Sequence, residues 1–165
     1  MTQRSSPFGA LRARALALIA LAVLLAGCAS VGTAKIPATP GSAKGSEAVP
    51  AAFAGLTKNA DGYTKLTAQQ LNDALAAKRF TLVNVHVPYA GELPQTDLFI
   101  AYDQMAQQAN RLPDKSAPIV LYCRSGHMST IAAKALVKLG YTNVLELDGG
   151  MGAWESAGYQ VLQKQ

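Results

Sequence analysis

Ile119-Val120-Leu121-Tyr122-Cys123-Arg124-Ser125-Gly126-His127-Met128-Ser129 is the stretch that decides the fold. Its first four residues are β-branched or large and apolar, and Pro118 stands in front of them. That composition suits a short strand buried on both faces of a parallel sheet. Cys123 then falls at the strand's C-terminal end. Further on, Ser129 reads as the N-cap of a helix over Thr130 to Leu139, with Ile131, Ala135 and Leu139 on one face and Gly140 as the stop. Strand, loop and helix start therefore follow one another within a dozen residues.

A loop in that position points backbone N–H groups and the positive end of a helix at whatever it encloses. A thiol at its first position has its thiolate favoured by those dipoles and by the neighbouring Arg124. Gly126 lets the backbone turn at positive φ, and Ser125 adds a side-chain donor. The bland alternative, a small buried residue ending a strand, accounts for Cys123 alone but not for the polar run Arg124-Ser125-Gly126-His127 behind it.

Tyr122 to Ser129 resembles the active-site loop of the rhodanese (sulfurtransferase) family. Leu147-Asp148-Gly149-Gly150-Met151-Gly152-Ala153-Trp154-Glu155-Ser156-Ala157-Gly158-Tyr159 is similar to that family's closing signature. The resemblance spans about Tyr63 to Leu162. It implies a single α/β domain with an open, mostly parallel sheet flanked by helices. It also implies that Cys123 carries a terminal sulfur as a persulfide, with Arg124, Ser125, Gly126, His127, Met128 and Ser129 binding the substrate. No metal or organic cofactor is required, because the oriented loop dipoles stabilise the sulfur anion.

The N-terminus reads as an export signal over residues 1–27. Arg4, Arg12 and Arg14 form a basic start, and Ala15 to Ala26 is an apolar run short for a membrane span. Leu25-Ala26-Gly27-Cys28 resembles a bacterial lipoprotein signal, which makes Cys28 the expected lipid attachment site and leaves Cys123 the one thiol of the mature chain. An ordinary cleavage site, or pairing of Cys28 with Cys123, is the alternative. The formal charge of +5 owes much to this segment: without its three arginines, twelve basic residues face ten acidic ones, a net of +2. No basic stripe with interleaved aromatics remains, so no nucleic-acid partner is expected. The expected location is the bacterial cell envelope, lipid-anchored and facing away from the cytoplasm; Ala29 after Cys28 favours the periplasmic face of the outer membrane.

Residues 28–62 are rich in Ala, Gly, Ser, Thr, Pro and Lys, with too few apolar residues for a period. They read as a flexible tether, with docking confined to the neighbourhood of Phe53 to Leu56. The domain is then expected over 63–165. Thr67-Ala68-Gln69-Gln70 has capping-box spacing for a helix to about Arg79, and Phe80 to Val87 reads as a strand. Where the rhodanese family has Asp-x-Arg near this strand's end, the chain has Asn84-Val85-His86. Both are candidate partners of the site, His86 more as a structural hydrogen-bonding group than as a proton carrier. Tyr89 to Tyr102 reads as a surface loop, and Asp103 as the cap of a short helix over Gln104 to Leu112. Glu92 and Asp97 are read as solvated charges near the mouth, Asp97 being a further candidate partner of the site. Asn143 to Leu147 is the last core strand, Met151 to Ala157 the last helix, and Trp154 a core anchor.

Three functions compete. A sulfurtransferase would take sulfur from a small donor and pass it to cyanide, a thiol or a protein acceptor. A cysteine phosphatase would need an arginine six positions after the cysteine to clamp phosphate, and that position is Ser129. A module that binds sulfane sulfur or senses redox state without turnover is the third.

Overall fold

The computed structural model describes residues 50–163. Five strands form one sheet: β1 (Thr64–Leu66), β2 (Thr81–Asn84), β3 (Leu98–Phe99), β4 (Ile119–Tyr122) and β5 (Val144–Leu147). Every pairing is parallel, in the spatial order β1-β5-β4-β2-β3. Three helices cover it: α1 (Ala68–Leu75), α2 (His127–Lys138) and α3 (Gly150–Ser156). All four residues of β4 are buried, as expected of a central strand covered on both faces. β4 is the middle strand of the five, and the carboxyl ends of such strands are where open α/β sheets build their sites.

The two-residue period of the strands divides the interior into two cores. On one side Val120 and Tyr122 join Leu66, Leu71, Leu82, Leu147 and Trp154. On the other, Leu121 and Cys123 join Val83, Val85, Ala132, Ala133, Leu136 and Val144, beneath α2. Trp154 is 1% exposed and donates its indole N–H to the Gln160 carbonyl at 3.0 Å, the expected core anchor. Thr67 and Gln70 form the expected capping box, the Thr67 N–H donating to Gln70 Oε1 and the Gln70 N–H to Thr67 Oγ1.

Several boundaries differ from expectation, each for a tertiary reason. Packing begins before residue 63, with the docking expected near Phe53 to Leu56: Phe53 is buried, its ring 5.4 Å from that of Phe80, and, beyond that stretch, Lys58 bridges to Thr64. The segment Tyr89 to Tyr102 contains the edge strand β3, formed because Leu98 and Phe99 pair with Val83 and Asn84. In place of a helix over Gln104 to Leu112 there are two 3₁₀ turns, Tyr102–Gln104 and Ala109–Arg111, and Asp103 lies inside the first. The signal segment and Cys28 lie outside the described residues. Among those described, no helix is long and apolar enough to cross a membrane.

Candidate active site

Cys123 follows β4 directly and is 1% exposed. Gly126, at φ +91°, turns the loop back so that its N–H donates to Cys123 Sγ at 3.1 Å. Helix α2 starts at His127 with Gly126 as its cap, three residues earlier than the sequence pattern indicates. Ser129 therefore lies in the first turn of the helix. Its hydroxyl is buried and directed inward, 3.5 Å from Cys123 Sγ, 3.1 Å from the Gly126 carbonyl and 2.8 Å from Glu146 Oε1. Arg124 and Ser125 are exposed on the loop and His127 at the first position of α2, and Met128 is half-buried against the α2-side core.

The closing segment holds this loop from beneath. The Met151 N–H donates to the Cys123 carbonyl at 2.8 Å and the Gly152 N–H to the Arg124 carbonyl at 2.9 Å. A Cβ on Gly150 would lie 2.2 Å from the Cys123 carbonyl oxygen. The Cys123 and Arg124 carbonyls are thus tied to the start of α3, while the Gly126 N–H reaches the sulfur. The two sequence motifs are two halves of one backbone assembly.

The outlying candidates divide. Asn84 is fully buried and structural: it accepts the His86 N–H at 3.0 Å and donates to the Gly91 carbonyl at 2.9 Å. These two neutral contacts fasten the end of β2 without the desolvation cost of a buried ion pair. His86 has a buried Nδ1 without a partner, and burial, followed by the charge of Arg124, lowers its pKa below the usual imidazole value. Asp97 does not join the site: it lies back along β2, accepting the Leu82 N–H at 2.7 Å and pairing with Lys78. Nor is Glu92 a solvated loop charge, since its residue is 9% exposed and its backbone bridges to Leu162. Both corrections have one cause: pairing of β3 with β2 and of Glu92 with Leu162 folds this segment back onto the domain.

Sequence reasoning missed Glu146. It lies on β5 in register with Leu121, is 1% exposed, and has an unpartnered buried Oε2. Burial pushes its carboxyl up to about 7; the Ser129 hydrogen bond and Lys65 pull it down, and Asp148 pushes it up. Its signal was present as a carboxylate in the middle of a short strand expected to belong to the core. Tyr122, the residue before the cysteine, anchors the other flank: its hydroxyl accepts the Leu93 N–H at 3.0 Å and contacts Thr96 Oγ1 at 2.6 Å.

A family model described as Rhodanese-like domain matches residues 67–157, more than half of the chain. The chain belongs to this family. Its similar proteins include the adenylyltransferase and sulfurtransferase UBA4 of Meyerozyma guilliermondii, 36% identical over 72 residues, which cover 44% of this chain and 16% of the relative. The thiosulfate sulfurtransferase GlpE of Pseudomonas fluorescens is 44% identical over 46 residues, or 28% of this chain and 42% of the relative. GlpE of Pseudoalteromonas translucida is 33% identical over 72 residues, or 44% and 61%. The chain thus spans less than two thirds of each of these three relatives. Among solved structures, a rhodanese-related protein of Thermoplasma volcanium matches with a TM-score of 0.53 at 22% identity, covering 61% of this chain and 98% of its own. A rhodanese-like domain protein of Staphylococcus aureus matches at 0.51 and 23%, covering 60% and 98%. These two share the rhodanese-like fold, and the family includes sulfurtransferases.

Proposed function

We propose that this chain is a sulfurtransferase that carries sulfane sulfur as a persulfide on Cys123. The observation that supports this best is the thiol itself, buried at the end of β4 with the Gly126 N–H and the Ser129 hydroxyl directed at its sulfur. Such donors favour an anion there. The Cys123 thiolate attacks the outer sulfur of a donor; with thiosulfate, the sulfur–sulfur bond breaks and sulfite departs with its electron pair. The resulting persulfide gives its outer sulfur to cyanide, forming thiocyanate, or to a thiol, forming a new persulfide, and Cys123 returns to the thiolate. Two half-reactions through one covalent intermediate give ping-pong kinetics. Position 129, where a phosphatase would place its arginine clamp, is filled by the buried Ser129. Mass spectrometry after incubation with thiosulfate, a trisulfide and a phosphoester analogue tests the reading: a one-sulfur adduct on Cys123 that an acceptor then removes is the expected result. An adduct that no acceptor removes would leave a binding module instead.

Donor choice follows from the loop's side chains. Arg124 is its one permanent cation, while Met128 offers a polarizable apolar surface. Thiosulfate, a dianion, is expected to be a poorer donor than a persulfide or polysulfide of lower charge. Met128→Arg should raise kcat/KM for thiosulfate by up to about tenfold at low salt, and the gain should shrink as ionic strength rises. Efficient use of thiosulfate by the wild type, with no gain in the variant, would assign specificity to the backbone donors alone.

The domain belongs, in this reading, at the cell envelope, held by lipid on Cys28 and working on small sulfur donors and thiol or protein acceptors. The support is Leu25-Ala26-Gly27-Cys28 behind a basic and apolar start. Several acyl chains, each contributing about 0.8 kcal/mol per buried CH₂, hold a protein firmly where one does not. Cys28→Ser should move the protein from the membrane to the soluble fraction with sulfur loading retained. Wild type found soluble and without lipid would remove the anchor.

A further inference from the structure

Three buried groups form a chain beneath the loop: Cys123 Sγ, Ser129 Oγ and the carboxyl of Glu146, with separations of 3.5 and 2.8 Å. None of the three residues is more than 1% exposed. The Ser129 hydroxyl has one proton and three acceptors within reach, the third being the Gly126 carbonyl at 3.1 Å. We propose that Glu146 is a positioning residue which, through Ser129, decides whether Cys123 has a hydroxyl donor and hence how readily it becomes an anion.

With Glu146 protonated, its O–H donates to Ser129 Oγ and the Ser129 proton is free to turn to the sulfur. With Glu146 ionised, the carboxylate, closest of the three acceptors, accepts the Ser129 hydrogen bond. Cys123 then faces an oxygen lone pair with a second anion behind it. One hydroxyl cannot serve two anions, so thiolate and carboxylate disfavour each other, and by linkage each weakens the other's ionisation equally. The unpartnered Oε2 points the same way, because a buried carboxyl lacking one partner is better tolerated neutral than charged. The raised pKa of Glu146 agrees with this.

The charged neighbours do not replace the relay. From β1, Lys65 stands in register with Glu146, but its ammonium is exposed and pairs with Asp148 at 2.7 Å. Asp148, on the same segment as Glu146, carries the same sign as an ionised Glu146 and pushes its carboxyl up. From α2, Lys134 is paired with Asp61 at 3.0 Å, and His127 is exposed, as is Arg124 on the loop. From the loop that follows β4, the titratable group directed to this site is Cys123 itself.

The inference deepens the proposed sulfur transfer and rests on it only in taking Cys123 as the reacting group. Its test uses no sulfur donor: iodoacetamide alkylation of Cys123 in the full chain between pH 5 and 10, read by mass spectrometry of the Cys123 peptide. Wild type should show a shoulder near pH 7, where ionisation of Glu146 holds back the thiolate. Glu146→Gln keeps a donor for Ser129 and cannot ionise, so its profile should rise without a shoulder. It should react at the wild-type rate at pH 5.5 and about three- to tenfold faster at pH 8. In a Ser129→Ala background the same substitution should change the rate less than twofold. Superposed profiles for wild type and Glu146→Gln would overturn the relay. Should Glu146→Gln not fold, wild type and Ser129→Ala carry the comparison: a shoulder in the first alone supports the relay, and single ionisations in both overturn it. A Cys123 that titrates through Glu146 yet loads no sulfur would overturn the sulfur transfer and leave the relay standing.

Discussion

Cys123→Ser is expected to remove sulfur loading altogether, a loss of roughly 10³-fold or more in turnover, while the domain stays folded. Serine keeps a hydrogen-bonding atom at the end of β4, but its hydroxyl is not ionised at neutral pH and cannot hold a sulfane sulfur as a persulfide. The loop donors would then surround a neutral group, and no covalent intermediate would form. Stability should fall by only about 1 kcal/mol, because the thiol's Gly126 and Ser129 partners remain for the serine oxygen, offset by burial of a more polar atom. Loading by mass spectrometry and a thermal melt separate the two effects. Retained turnover with a normal melt would remove Cys123 from the mechanism; a large drop in Tm would show that the thiol is a packing element as well.

What the sequence revealed and what it hid follow from the range of the forces involved. The β4 stretch was legible because a strand buried on both faces leaves a continuous apolar run, and Ile119–Tyr122 is that strand. The capping box at Thr67 was legible because it is local. Helix α2 starts three residues early because Gly126 at positive φ ends the loop, which frees Ser129 from capping and turns its hydroxyl to Cys123 and Glu146. A serine before a helical pattern looks the same in either role. Distance along the chain puts Asp97 and Glu92 near the mouth, whereas β3 pairing and the Leu162 bridge set their actual positions. The role of Glu146 is not legible in the sequence because only the register of β5 on β4 shows what a mid-strand carboxylate touches.

Gly150→Ala should be the most damaging small substitution in the domain, although it adds only a single methyl group. Gly150 sits at φ +58°, where an alanine is strained by about 1 kcal/mol. The added Cβ would also lie 2.2 Å from the Cys123 carbonyl oxygen, 2.8 Å from the Arg124 carbonyl carbon and 2.9 Å from the Ser125 nitrogen. All three are backbone atoms of the active-site loop, and no rotamer change relieves the overlap. Gly158→Ala is the control, with φ +86° and nothing within 4 Å of its Cβ, so it isolates the cost of the backbone conformation. The expected losses are about 1 kcal/mol for Gly158→Ala and roughly 3–5 kcal/mol for Gly150→Ala, the latter a fall in Tm of roughly 10–20 °C. If the loop yields instead of the fold, the Met151 and Gly152 N–H groups lose the Cys123 and Arg124 carbonyls. The donor array over the sulfur then loosens, and Cys123 alkylation at neutral pH should slow while the melt changes less. Equal melts and equal alkylation rates for the two variants would show that the start of α3 does not hold the loop, and that the two motifs act independently.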